Sequence, residues 1–148
     1  MNDDLFENAG KEEQEVVSLF IDGAARGNPG PAGIGVVFRN GTHETLKEFC
    51  KFIGETTNNV AEYTALLYGL QEALIQKVRR ISVYTDSELL ARQVQGKYRV
   101  KEPHLKVLHE QVRYLVRGFH RFGIHHLPRR ENRQADKLAN QAIDAMKL

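Results

Sequence analysis

Two hydrophobic rhythms alternate along the chain. "VVSLFIDGA" is a short apolar, β-branched run stopped by glycine, and "GIGVVFRNG" follows it across the turn-rich "ARGNPGPA". Together they predict the first two strands of an antiparallel meander. "HETLKEFCKFIG" sets Leu46, Glu48, Cys50 and Phe52 on one face, a period of two that predicts a third, partly exposed strand. The rhythm then changes. Tyr63, Leu66, Leu67, Leu70 and Leu74 recur at helical spacing and predict an amphipathic helix over residues 60–76. Asn59 is placed to cap that helix, with Glu62 reaching back to the cap's N–H.

Downstream, "RRISVYTD" predicts a fourth strand, "SELLARQVQ" a short helix and "GKYRVKEP" a basic connection. Residues 104–117 predict a helix with Leu105, Leu108, Val112, Leu115 and Val116 as its stripe. "HRFGIHHLP" reads as a fifth strand, and "ENRQADKLANQAIDAMKL" as a last helix starting near Asn132 and burying Ala135, Leu138, Ala139, Ala142 and Met146. The order βββαβααβα implies an α/β fold with a sheet of mixed direction. No internal repeat or low-complexity segment interrupts it.

Composition narrows the class. A chain of 148 residues suits one domain able to bury a core without staples. Cys50 is the sole cysteine, which excludes an internal disulfide, and it reads as a core thiol or a neutral strand residue. There is no apolar run long enough to span a bilayer, and the N-terminal stretch carries acids where a targeting peptide carries bases. A soluble, cytoplasmic chain is expected. Residues 1–15 hold six acids against Lys11 alone and read as a disordered acidic extension of a domain over 16–148. Without them the formal charge of +2 becomes +7, twenty bases against thirteen acids. Residues 97–133 alone carry ten Lys or Arg against three Glu, a footprint for a polyanion or a solvated helix face.

Tracing the strands brings four acids to one place. If strand one runs up to end at Asp22, two tight turns bring strand three up again, and the first helix starts at the top with Glu62. A right-handed crossover returns strand four parallel to strand one, ending at Asp86. With strand five also parallel, the last helix starts at the same edge with Asp136 in its first turn. Ligands of such folds gather at that edge. Each acid has an ordinary reading too: an Asx turn for Asp22, a helix cap for Asp86, a dipole partner for Asp136, a capping box for Glu62. Jointly, four close carboxylates repel unless cations lie among them. Hard divalent ions such as Mg²⁺ fit an all-oxygen set, and two of them about 3.5 to 4 Å apart clamp an in-line phosphoryl displacement. No Cys/His cluster suits zinc.

"FIDGAARGNPGPAGIGVV", "TTNNVAEYTALLYGL", "VYTDSELL" and "PRRENRQADKLANQA" together resemble, in order, the four active-site segments of the type 1 ribonuclease H family. The resemblance implies the ribonuclease H-like fold, with a five-stranded mixed sheet of order 3-2-1-4-5 flanked by helices. It implies cleavage by water of the RNA strand of an RNA/DNA hybrid, leaving a 5′-phosphate and a 3′-hydroxyl. Asp22, Glu62, Asp86 and Asp136 are the implied ligands of two Mg²⁺ ions, with Mn²⁺ as a substitute. Asn58 and Asn59 fall at minor-groove contacts, and Asn28 and Thr57 at a DNA-phosphate pocket. Selectivity follows from reading 2′-hydroxyls on one strand and deoxyribose shape on the other.

The chain departs from that pattern twice. The family's loop histidine corresponds by count to His126, but the loop is the short "HHLPRREN", where Arg129 or Arg130 can contact phosphate and His126 can be a strand residue. "GKYRVKEPHLK" replaces the longer basic handle of some members, as in the short, reverse-transcriptase-like branch. Tyr98, between Lys97 and Arg99, suits a nucleic-acid contact or packing. The alternative function is a nucleic-acid-binding module of the same fold with little or no catalysis. A further one is an exonuclease or DNA-junction nuclease, against which Asn58 and Asn59 argue for ribose recognition. A monomer without a protein partner is expected.

Overall fold

A computed structural model describes residues 15–146. The expectation of a disordered acidic extension falls, apart from Glu15, outside the described residues. The elements follow in the predicted order: β1 (Val17–Ala25), β2 (Gly30–Arg39), β3 (Thr45–Thr56), α1 (Asn58–Ile75), β4 (Arg80–Thr85), α2 (Glu88–Val94), α3 (Pro103–Val116), β5 (Arg121–His126) and α4 (Arg133–Asp144). A single 3-10 turn, Arg129–Glu131, joins β5 to α4. The sheet runs β3-β2-β1-β4-β5, as the resemblance implies. β1, β2 and β3 are antiparallel neighbours, and β4 and β5 extend the sheet parallel to β1.

Side chains alternate across the sheet and divide the apolar residues between two layers. Val17, Leu19 and Ile21 of β1 meet Leu66 and Leu70 of α1 in the larger core, which α2, α3 and β4 complete. On the other face Val37 and Phe20 pack with Ala135 and Leu138 of α4. That layer is thin because α4 lies almost on the backbone of β2. A Cβ at Gly35 would stand 2.1 Å from the Ala135 carbonyl oxygen, so glycine is what admits the helix there.

Four local expectations are corrected. The N-cap of α1 is Thr57, not Asn59: Thr57 is extended, and its hydroxyl accepts the Val60 N–H at 3.3 Å. Asn58 and Asn59 are already helical, so Glu62 lies beyond the capping box and is free to turn elsewhere. The pairing of β3 with β2 slips twice, passing over Ile53 opposite Ala32/Gly33 and over Leu46 opposite Phe38/Arg39. The side chains packed on the core are Leu46, Phe49 and Ile53, whereas Glu48 and Cys50 are exposed on this edge strand. Met146 is 59% exposed because α4 stops at Asp144, and Ile143 is buried in its stead. No helix among the described residues is long and apolar enough to cross a membrane.

Candidate active site

The sheet edge at the ends of β1 and β4 is built by close backbone approach. Asp22 lies within β1 opposite Gly35, so it is a strand residue and not the start of an Asx turn. Its neighbour Gly23 faces α1, where a Cβ would stand 2.3 Å from the Ala61 carbonyl carbon. Only glycine lets the helix come that near. The contact is then used: the Gly23 N–H donates to Glu62 Oε1 at 2.9 Å, fixing a carboxylate that is only 5% exposed. Asp86 follows the last residue of β4. Its reading as a cap fails, because Ser87 caps α2 itself by accepting the Leu90 N–H at 3.1 Å. Carboxylate oxygens of Asp22, Glu62 and Asp86 consequently lie within 4.8 Å of one another.

Asp136 borders this group without joining it. It occupies the first turn of α4, interacts with Asp22, and receives Arg129 Nη2 at 3.4 Å and Asn140 Nδ2 at 3.3 Å. From the sequence Asn132 reads only as a helix start. The structure buries it to 2% exposure, and its Nδ2 donates to the Ile21 carbonyl at 2.8 Å and towards Asp86 Oδ2 at 3.5 Å. One amide thus ties the end of β1 to the carboxylate after β4. Its Oδ1 is buried with no partner among the described residues, an unused acceptor beside the site. The only sequence signal was an Asn before a helix, which an ordinary cap explains equally well.

Electrostatics single out the same residues. Burial first, then the charges of Glu62 and Asp86, push the Asp22 carboxyl up to about 10. Burial and the Asp86 charge push Glu62 up to about 8 against the Gly23 hydrogen bond. Asp86 is also raised, chiefly by burial, although Asn132, Arg129 and His126 oppose this. Without cations the cluster therefore holds protons; a divalent cation removes the repulsion that keeps them. The donors are hard carboxylate oxygens, which suit such an ion, and the orphaned Asn132 acceptor can accept a hydrogen bond from a water bound beside it.

The remaining predicted positions form two flanks. Asn28 Oδ1 accepts the Asn58 N–H at 3.0 Å, which joins the β1–β2 turn to the start of α1 and sets Asn28, Thr57, Asn58 and Asn59 side by side. A cleft lined by Asn59, Lys97, Tyr98, Arg99 and Lys101 continues from there along the basic connection. On the other flank His126 is the last residue of β5, paired with Thr85 and exposed, so it is a strand residue and not part of a loop. Arg129 and Arg130 follow in the 3-10 turn, both exposed.

A family model described as reverse transcriptase-like matches residues 20–142. The chain is 44% identical to a bifunctional protein of Mycobacterium tuberculosis over 87% of its own length, and it spans only 36% of that relative. It is 36% identical to a ribonuclease H of Coxiella burnetii, covering 90% of this chain and 94% of that one. Among solved structures, LC11-RNase H1 in complex with an RNA/DNA hybrid superimposes with a TM-score of 0.84 at 44% identity, over 87% of this chain and 97% of that one.

Proposed function

The chain belongs to the type 1 ribonuclease H family, and on that premise we propose that it hydrolyses the RNA strand of RNA/DNA hybrids, leaving a 5′-phosphate and a 3′-hydroxyl. The observation that carries this reading is the convergence of Asp22, Glu62 and Asp86 within 4.8 Å at the strand ends of the fold. Two Mg²⁺ or Mn²⁺ ions bound there would activate a water and neutralise the leaving oxygen. Asp22, which interacts with all three other acids, is suited to be the shared ligand. The Gly23 N–H holds Glu62 in place, and Asn132 does the same for Asp86. Asp136 would complete the set from α4.

The two flanks would hold the hybrid. Asn58 and Asn59 would read the minor groove, where 2′-hydroxyls mark the RNA strand, while Asn28 and Thr57 would take a DNA phosphate. Arg129 and Arg130 would meet phosphates near the cut, and His126 would assist product release from the end of β5. The test is incubation of the folded protein with an end-labelled hybrid and either metal. Cuts within the RNA strand, with single-stranded RNA and duplex DNA left intact, are expected. Intact hybrid with both ions would instead leave a hybrid-binding module with little or no catalysis. One observation favours that second reading: Asp136 stands outside the group of three, already held by Arg129 and Asn140.

A further inference from the structure

The sheet face that α4 shares is only half covered. The helix packs on β1, β2 and β3, and the outward residues of β4 and β5 beside it are half-buried or exposed. Across this face runs a ladder of planar groups at one register level. Phe20 pairs with Tyr84, and Tyr84 with His125. The Phe20 and Tyr84 rings stack at 4.9 Å and 18°, and Tyr84 and His125 lie 5.3 Å apart at 33°. Arg39 closes the inner end, 4.6 Å above the Phe20 ring. His125 ends the stack on the edge strand, exposed, with no further strand beyond it among the described residues.

Lower on the same face Arg80 stands directly opposite Arg121. Neither makes a salt bridge among the described residues. Like charges opposed across strands destabilise a sheet, and an anion lying over them relieves that cost. In the other direction the face runs up to the carboxylates, since Asp22 and Asp86 follow Phe20 and Tyr84 by two residues. A cleft of about 260 Å³ lined by Phe20, Arg39 and Asn132 lies beside the inner end of the ladder.

We infer that this uncovered face is a second nucleic-acid surface, taking single-stranded nucleic acid that continues beyond the hybrid. A base extends the ladder on the outer face of His125, and Arg80 and Arg121 neutralise phosphates of the same strand. The open aromatic end selects a base, which an acidic peptide lacks. The path from the carboxylates rests on the cleavage reading, but binding to the face does not.

The probe is a labelled oligothymidylate of about 12 nucleotides, followed by fluorescence anisotropy in metal-free buffer. The variant R80E/R121E is expected to bind it roughly 10-fold more weakly at low salt, with the slope of log affinity on log salt reduced by about 1.4. H125A is expected to lose about 5-fold or more. Cleavage of a blunt hybrid stays unchanged in both. R80Q/R121Q covers a folding failure of the charge reversal and moves in the same direction. Unchanged oligothymidylate affinity in a folded arginine variant overturns the inference, as does an equal loss of blunt-hybrid cleavage. A wild-type protein that cuts no hybrid would sink the proposed function and leave the anisotropy result to decide this one.

Discussion

The two sides of the acidic site are built by opposite rules. On the β1–α1 side, Asp22 and Glu62 are 4% and 5% exposed and have no basic partner within hydrogen-bond reach among the described residues. On the β5–α4 side, the Asp136 side chain is 29% exposed and paired with Arg129, which is itself 78% exposed. Buried like charges are costly unless something compensates them, whereas an exposed ion pair costs and contributes little. The buried side is therefore where a cation would be held and where changes should be severe. The exposed side is open to adjustment.

The largest effect should follow from Asp22→Asn. Removing the most central carboxylate is expected to lower hybrid cleavage by on the order of 10³-fold or more while sparing hybrid binding. The metal-free variant should also be more stable than wild type at neutral pH, because folding no longer has to place a proton on that buried carboxyl, and Mg²⁺ should no longer raise its melting temperature. Retained turnover would show that the buried side does not carry the chemistry.

Asn132→Ala tests whether the buried side depends on its support. Its amide links the Ile21 carbonyl to Asp86, and outer partners of metal ligands are typically worth 10- to 100-fold in metal affinity or activity. A loss of about that size in Mg²⁺ affinity by calorimetry, with the fold retained, is expected. An unchanged affinity would reduce Asn132 to a helix cap.

Much of this was legible in the chain, for identifiable reasons. The element order and the edge shared by the acids follow from hydrophobic period, short turns and crossover handedness, which are properties of whole segments, while the strand order was implied by the family resemblance. What was not legible depends on single contacts. Thr57 and Asn59 are both good caps, and only the backbone angles decide between them. The face of β3 depends on two bulges that no period reveals. Met146 continues the stripe of α4, but the helix ends before it. The role of Asn132 rests on a bond to a strand more than a hundred residues away in sequence, and its local context suggests only a helix start. The 3-10 turn that sets Arg129 against Asp136 is likewise too short for any rhythm.

The pH dependence of the metal-free protein sharpens the contrast. Asp22 is raised from 3.8 to about 10 and Glu62 from 4.5 to about 8. The folded state thus binds protons that the unfolded chain releases. The stability these groups contribute is fully present below their unfolded values and is lost as pH rises through the folded ones. Urea midpoints in chelator should fall between about pH 5 and pH 9, and saturating Mg²⁺ should flatten that fall by taking the place of the protons. In Asp22→Asn the slope should shrink. A midpoint rising with pH in chelator would show that the buried acids are already compensated.

The smallest effect is expected on the exposed side, from Arg129→Ala. The Arg129–Asp136 pair spans 3.4 Å at the surface, and such pairs contribute about 0 to 1 kcal/mol. Its loss should leave stability nearly unchanged. If Arg129 serves a phosphate of the substrate, KM for the hybrid should rise about 2- to 5-fold and the slope of log affinity on log salt should drop by roughly 0.8, with kcat almost constant. Steady-state kinetics at several salt concentrations separate the two parameters. A fall of kcat by an order of magnitude with KM unchanged would mean that Arg129 acts through Asp136 on the reacting centre. The exposed side would then share the chemistry of the buried one, and the division between them would have to be redrawn with Asp136 as a full member of the carboxylate group.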